Sequence, residues 1–147
     1  MIKFVAIAMA LMLHTNIGLD AVRSGYTKAV DDKNLCSEMI QKLRSVQSDP
    51  VCLAYLGGYQ TIWAKHVFNP FSKLKTFNEG KKNIESAVKV DPLNAEIRMV
   101  RLSVQKNAPS FLGYHSNVEE DENFIRKNIS AINKPTLLKM ANELLKK

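Results

Sequence analysis

The amino-acid sequence predicts an all-α fold, an α-α superhelix built as an array of antiparallel helical hairpins. Val, Ile and the aromatic residues never alternate with polar ones over a strand's length, so the period-two pattern of a sheet is missing. Glycine and proline are sparse, six and five in 147 residues, which leaves long stretches free to stay helical. Pro50, Pro92 and Pro135 recur at intervals of 42 and 43 residues, and Val46-x-x-Asp49-Pro50 aligns with Val88-x-x-Asp91-Pro92. A helix–turn–helix unit returning at such an interval marks a stacked array. With 46% hydrophobic and 24% charged residues, the chain can furnish one ordinary core and is not disordered as a whole.

The chain opens on what reads as an address. Lys3 is a minimal positive region, Phe4 to Leu13 is an unbroken apolar run of ten, and polar His14, Thr15 and Asn16 follow. Ten residues fall short of the roughly 20 that a membrane-crossing helix needs. The pattern is that of a secretory signal peptide over residues 1–18, cleaved near 18–21, with Gly18 and Ala21 as the small residues at the cut. Residues 19–147 then form a single domain, exported to the periplasm or secreted.

Seven helical stretches follow, about six and a C-terminal one. Ala21, Val22, Tyr26, Ala29 and Val30 repeat at helical spacing in the first. Leu35, Cys36, Met39, Ile40, Leu43 and Val46 make the clearest amphipathic stripe, and define the second. Asp49 caps a third, with Pro50 as its first residue, where proline sacrifices no hydrogen bond. That helix is expected to run to about Val67 and carries Leu53, Leu56, Tyr59 and Trp63. After the Asn69–Pro70 break, Ser72 is a candidate cap for a fourth helix bearing Leu74, Phe77, Ile84, Ala87 and Val88. A fifth begins after Asp91–Pro92–Leu93–Asn94, with Ile97, Val100 and Val104 on one face. Ser116 with Glu119 forms a capping-box pattern for the sixth, and the acidic run Glu119–Glu122 in its first turn suits the helix dipole. Pro135 opens the seventh, with Leu137, Leu138, Ala141, Leu144 and Leu145.

Cysteine spacing tests this layout. Cys36 and Cys52 are an even pair that an oxidising compartment invites to bridge. If their helices are antiparallel about a turn at Ser48–Asp49–Pro50, Cys36 lies roughly 16 Å from the turn where Cys52 sits. A disulfide requires Cα atoms within about 7 Å. Two separate buried thiols, packing as small hydrophobes, are therefore expected.

The segment Gly80 to Asn94 resembles the second helix of a tetratricopeptide repeat. Counting back from Pro92, Ala87 stands five residues before it, Ile84 eight and Gly80 twelve, the offsets at which that family places its small and large apolar residues. Small residues at those offsets let two helices approach closely. Leu56–Gly57 matches the family's Leu–Gly pair on the preceding helix, although the Asn69–Pro70 break makes the connection longer than the family's. A broader resemblance, over roughly residues 50–127, is to small exported α-helical bacterial proteins of unassigned function. It rests on Ala64–Lys65–His66, Asn69–Pro70–Phe71–Ser72–Lys73 and the stretch from Glu96–Ile97–Arg98 to Gly113–Tyr114. It implies the fold and the compartment, and no activity.

The catalytic inventory is thin. His14, His66 and His115 lie far apart, and no His-x3-His or Cys-x2-Cys pair supplies zinc-ligand spacing. There is no glycine-rich phosphate loop and no Gly-x-Ser-x-Gly elbow. A Cys52–His66 dyad fails because 14 residues of one helix hold the two about 21 Å apart. A Cys36–His66 pair, with a small hydrolase as its consequence, survives the layout only as a minor alternative. No catalytic residue, metal site or cofactor is assigned.

The polar and aromatic residues point to binding. Tyr59, Trp63 and His66 share a face of the third helix, together with Tyr55. Arg98, Arg101 and Gln105 share a face of the fifth. In tetratricopeptide-like folds the first helix of each hairpin lines the concave surface, and these two helices would hold that place. An aromatic face beside two arginines suits a partner peptide with a carboxylate on the guanidinium fork. The opposing reading is that the aromatics are core and the arginines pair inward, with Glu85 or Glu96. Charge supplies a second function class. The net charge is +7, and between Lys65 and Lys106 nine basic residues face four acidic ones. The lysines from 65 to 89 could attach the protein to an anionic membrane surface. Nucleic acid is not expected, because basic and aromatic residues are not interleaved. A peptide-binding module of the cell envelope is the leading expectation.

Overall fold

The structure is a computed structural model, and it describes residues 17–146. Most of the expected signal peptide, His14 included, lies outside the described residues. Seven α-helices follow in order: α1 (Leu19–Tyr26), α2 (Lys33–Arg44), α3 (Pro50–His66), α4 (Pro70–Val90), α5 (Ala95–Asn107), α6 (Val118–Asn128) and α7 (Pro135–Leu144). Single 3-10 turns stand at Lys28–Val30, Ser110–Leu112 and Ile129–Ala131, and no strand occurs among the described residues. The fold class is all-α, built of packed helical hairpins.

The helix starts follow from capping chemistry. Asp32 accepts from the Leu35 amide at 2.9 Å, and Asp49 accepts from the Cys52 amide at 2.9 Å, with Pro50 taking the first helical position of α3. Three expectations shift here. Asn69, rather than Ser72, caps α4: its side chain accepts from the Phe71 and Ser72 amides, and Pro70 is the first helical residue. Pro92 does not start α5. Asn94 does, by accepting from the Glu96 and Ile97 amides, so Pro92 belongs to the turn. The Ser116–Glu119 capping box does not form; Asn117 takes the cap position, and Ser116 Oγ turns to the Asn117 side chain at 3.4 Å. The first stretch also breaks early, α1 closing at Tyr26 before the turn at Lys28–Val30.

Helix α3 is apolar all round because it is the central element, packed against α1, α2, α4 and α5. Tyr55, Leu56, Tyr59 and Ile62 of α3 are buried, meeting Val22 and Tyr26 of α1, Cys36, Met39, Ile40 and Leu43 of α2, and Phe77, Ile84 and Val88 of α4. The α3–α4 hairpin closes on glycine. A Cβ on Gly57 would lie 2.4 Å from the Gly80 carbonyl oxygen, and one on Gly80 would lie 2.5 Å from that of Gly57. Only two bare backbones can cross that closely. Val46 and the end of α2 reverse the chain at Asp49, and Cys36 and Cys52 stand free and buried. A second, smaller core of Met99, Leu102, Ile125, Leu137 and Ala141 joins α5 to α6 and α7.

Candidate binding site

The two faces singled out in the sequence are mostly spent on the interior. Tyr59 is buried, and its hydroxyl donates to the Val22 carbonyl at 2.6 Å while its ring meets Tyr26 edge-on at 5.4 Å. Tyr55 donates to Glu96 at 2.9 Å, and Glu96 also receives two bonds from Arg23, at 2.6 and 2.9 Å. Trp63 is half-buried, its ring under the Lys33 ammonium at 5.5 Å and beside His66 at 5.9 Å. His66 donates from Nε2 to the Ala29 carbonyl at 2.9 Å, tying the end of α3 to the turn after α1.

Arg98, Arg101 and Gln105 point from α5 into the start of α6. Arg101 grips the fully buried Asp121 with Nε and Nη2, at 2.7 and 2.8 Å, and Arg98 Nη1 reaches the same carboxylate at 2.9 Å. Arg98 also donates to Glu120 at 2.7 Å, and Arg101 to Glu85 at 3.3 Å. Burial alone would weaken the protonation of both guanidiniums, but hydrogen bonds to these carboxylates outweigh it and raise their pKa. Gln105 accepts from the Asn117 amide at 3.1 Å and so serves the start of α6. Among the described residues no buried side-chain polar atom lacks a partner. The expected groove between the aromatic and arginine faces is therefore closed by packing: Glu96, Asp121 and Asn117 occupy the hydrogen-bonding positions that a peptide carboxylate would need.

Nor does the Cys36–His66 pair assemble a nucleophile. The Cys36 thiol is buried and donates to the Tyr59 carbonyl at 3.4 Å, while His66 is committed to Ala29. Burial pushes the Cys36 pKa up to about 12, which keeps the thiol neutral.

An open concave surface lies on a different face of the same turns, carrying Thr61, Ile62 and Lys65 of α3 and Ser103, Val104 and Asn107 of α5. A cleft of about 730 Å³ is formed by the ends of α3 and α5, the first two turns of α4, the end of α1 with the turn after it, and the chain that follows α5. Its apolar wall is made by Ile62, Leu74, Phe77, Val104, Phe111 and Leu112. Phe111 is 85% exposed at the rim, and Phe68 and Phe71 stand 96% and 85% exposed on the adjoining α3–α4 corner. The polar side chains within are turned on one another: Tyr26 and Ser103 share a hydrogen bond of 2.9 Å, Ser103 Oγ donates to Val100 at 2.7 Å, and Thr61 donates to Gly58 at 2.7 Å. Burial holds the Tyr26 hydroxyl protonated, its pKa raised to about 12. Lys65 and Lys73 are the charged residues of the lining, and it contains no acid.

Sequence reasoning missed this cleft because its walls come from residues up to 86 positions apart, Tyr26 to Leu112. The one local signal was Phe68, Phe71 and Phe111, aromatics lying outside every amphipathic stripe. Among the described residues no cluster of His, Cys, Asp and Glu could hold a metal ion, and no helix is long and apolar enough to cross a membrane. Compared with protein-family models, curated proteins and solved structures, the chain matches none.

Proposed function

We propose that the protein is a non-enzymatic, exported binding module of the helical-repeat type, and that the cleft between α3, α4 and α5 holds an apolar segment of a protein partner. The observation that carries this reading is the cleft itself. It has the size of an ordinary ligand site, about 300–1,000 Å³ in proteins generally, and its rim leaves Phe111 and Leu74 in water. Large apolar side chains gathered around a concave apolar surface mark an interaction site more often than chance exposure does. The helical-repeat reading is supported by the Gly57–Gly80 crossing, which falls where the tetratricopeptide pattern puts small residues; the Asp49–Pro50 and Asp91–Pro92 turns add less, since of their two prolines only Pro50 opens a helix.

A photoreactive phenylalanine at position 111, with one at Val90 on the far end of α4 as control, tests the proposal. Cross-linking in an envelope extract should give discrete adducts from position 111 that disappear with Leu74→Ser. Equal, diffuse adducts from both positions would sink it. A second reading, attachment to an anionic membrane surface, is favoured by Phe68 and Phe71 standing exposed beside Lys65, Lys73 and Lys75. Sedimentation with anionic liposomes that fades as salt rises is its signature.

A further inference from the structure

We infer that the occupant of this cleft is an amphipathic α-helix whose apolar face is flanked by acidic residues. The inference rests on the cleft being the binding site, and it follows from what the walls offer and what they withhold.

An extended peptide exposes alternating N–H and C=O groups, each of which costs free energy if buried without a partner. The cleft can answer few of them, and its carbonyl acceptors leave a strand's own C=O groups unmet. Its walls are helix sides and helix ends rather than a sheet edge, so no strand can be added. Its hydroxyls on Tyr26, Thr61 and Ser103 are already engaged with each other or with backbone carbonyls, and the exposed Thr27 adds one hydroxyl where an extended segment needs several partners. Asn107 is likewise committed, donating to the Ser103 carbonyl at 2.7 Å. The closing turns of α3 and α5 provide free carbonyls, which are acceptors only. Pro70 and Pro109, both on the lining, have no N–H to give. A helix brings its backbone bonds already made and presents only side chains, which is what an apolar cleft with an internally paired wall can accept.

The sign of the flank follows from charge. The C-termini of α1, α3 and α5 contribute up to about half a negative charge each, and the N-terminus of α4 about half a positive one. Lys65 and Lys73 add two full positive charges. Neither lysine forms a salt bridge among the described residues, in contrast to Lys42 and Lys106, which pair with Glu38 and Glu122. The two lysines outweigh the partial charges of the helix ends and meet no acidic side chain in the lining, so a carboxylate beside the apolar face is the complementary group.

The test uses the purified full chain and synthetic peptides of roughly four helical turns, with Leu at i, i+3, i+4 and i+7. One peptide carries Glu on the flanks, its twin carries Lys, and a third is the Glu peptide with a central proline. Fluorescence anisotropy at about physiological ionic strength should show the Glu peptide binding at least about tenfold tighter than either of the others. Lys65→Glu with Lys73→Glu should abolish that preference, and Leu74→Ser with Phe111→Ser should abolish binding. Equal binding of the acidic and basic twins, lost in the Leu74/Phe111 variant, would overturn the inference while leaving the cleft as the binding site. Equal binding of the proline peptide would likewise overturn the helix. Binding of every peptide unaffected by Leu74→Ser with Phe111→Ser would remove the cleft reading as well. Affinity for phosphatidylglycerol vesicles and for none of the peptides would assign this face to a membrane instead.

Discussion

A carboxylate taken out of water costs several kcal/mol unless its lone pairs are filled, and Asp121 fills them with three guanidinium N–H groups from Arg98 and Arg101. Removing that carboxylate takes the closest partner from both arginines, leaving Arg98 to the exposed Glu120 and Arg101 to Glu85 at 3.3 Å. Asp121→Ala should cost about 3–5 kcal/mol, read as a lower urea midpoint at unchanged slope. A midpoint close to the parent's would mean that water reaches the two guanidiniums freely. Glu120 gives the pH counterpart. Its hydrogen bond from Arg98, and then that from Asn117, hold its pKa below the ordinary carboxylate value. A carboxylate with a depressed folded pKa contributes stability above its unfolded value, about 4.3, and loses it as pH falls through the folded one. Stability should therefore decline below about pH 4, and Glu120→Gln should flatten that limb slightly, since the group is exposed. The inward turn of Arg98 and Arg101 was half legible. Their three-residue spacing put them on one face, and Glu85 was foreseen as a partner. Asp121 was not, because a buried acid looks the same in sequence as its exposed neighbours Glu119 and Glu120, and its partners lie 20 and 23 residues away.

Among the elements, the α3–α4 hairpin makes the sharpest demand on sequence. Gly57→Ala adds a methyl 2.4 Å from a backbone oxygen, which no rotamer change can relieve, so the two helices must part. The gain in helix propensity, about 1 kcal/mol, is offset by overpacking of about 1–3 kcal/mol and by loosened contacts along the hairpin. A net loss of stability by thermal melting is expected, and a melting temperature equal to the parent's would mean that the two helices part at no cost. The close Gly57–Gly80 approach was readable because both glycines interrupt otherwise helical runs. Asp49–Pro50 was readable too, since cap and proline stand side by side. Pro92 misled for the converse reason: Asn94 lies two residues on and caps better, accepting two backbone amides. Helix starts are contested between neighbours one to three residues apart, and a single sequence does not rank them.

At the scale of the molecule, burial is shared unequally between two cores. Twenty-two buried residues knit α1 to α5 with the Tyr114 loop, but only five hold α6 and α7 against α5. Local opening follows the density of buried apolar contacts, so the C-terminal pair should open at a lower free energy than α3 and α4. Native-state hydrogen exchange should show amides of α3 protected up to the global unfolding free energy, and those of α6 and α7 exchanging sooner. The salt bridges from α5 to Asp121 oppose that difference, and they fix how large it can be. The cleft belongs wholly to the larger core, through Ile62, Phe77 and Val104, so α6 and α7 can open without dismantling it. Addition of the acidic amphipathic peptide should therefore slow exchange at the last turns of α3 and α5 and in the Ser110–Leu112 turn, and leave α7 unchanged. Protection spread evenly over α7 would mean that the occupant is gripped by the whole array, and that the cleft between α3, α4 and α5 is only its entrance.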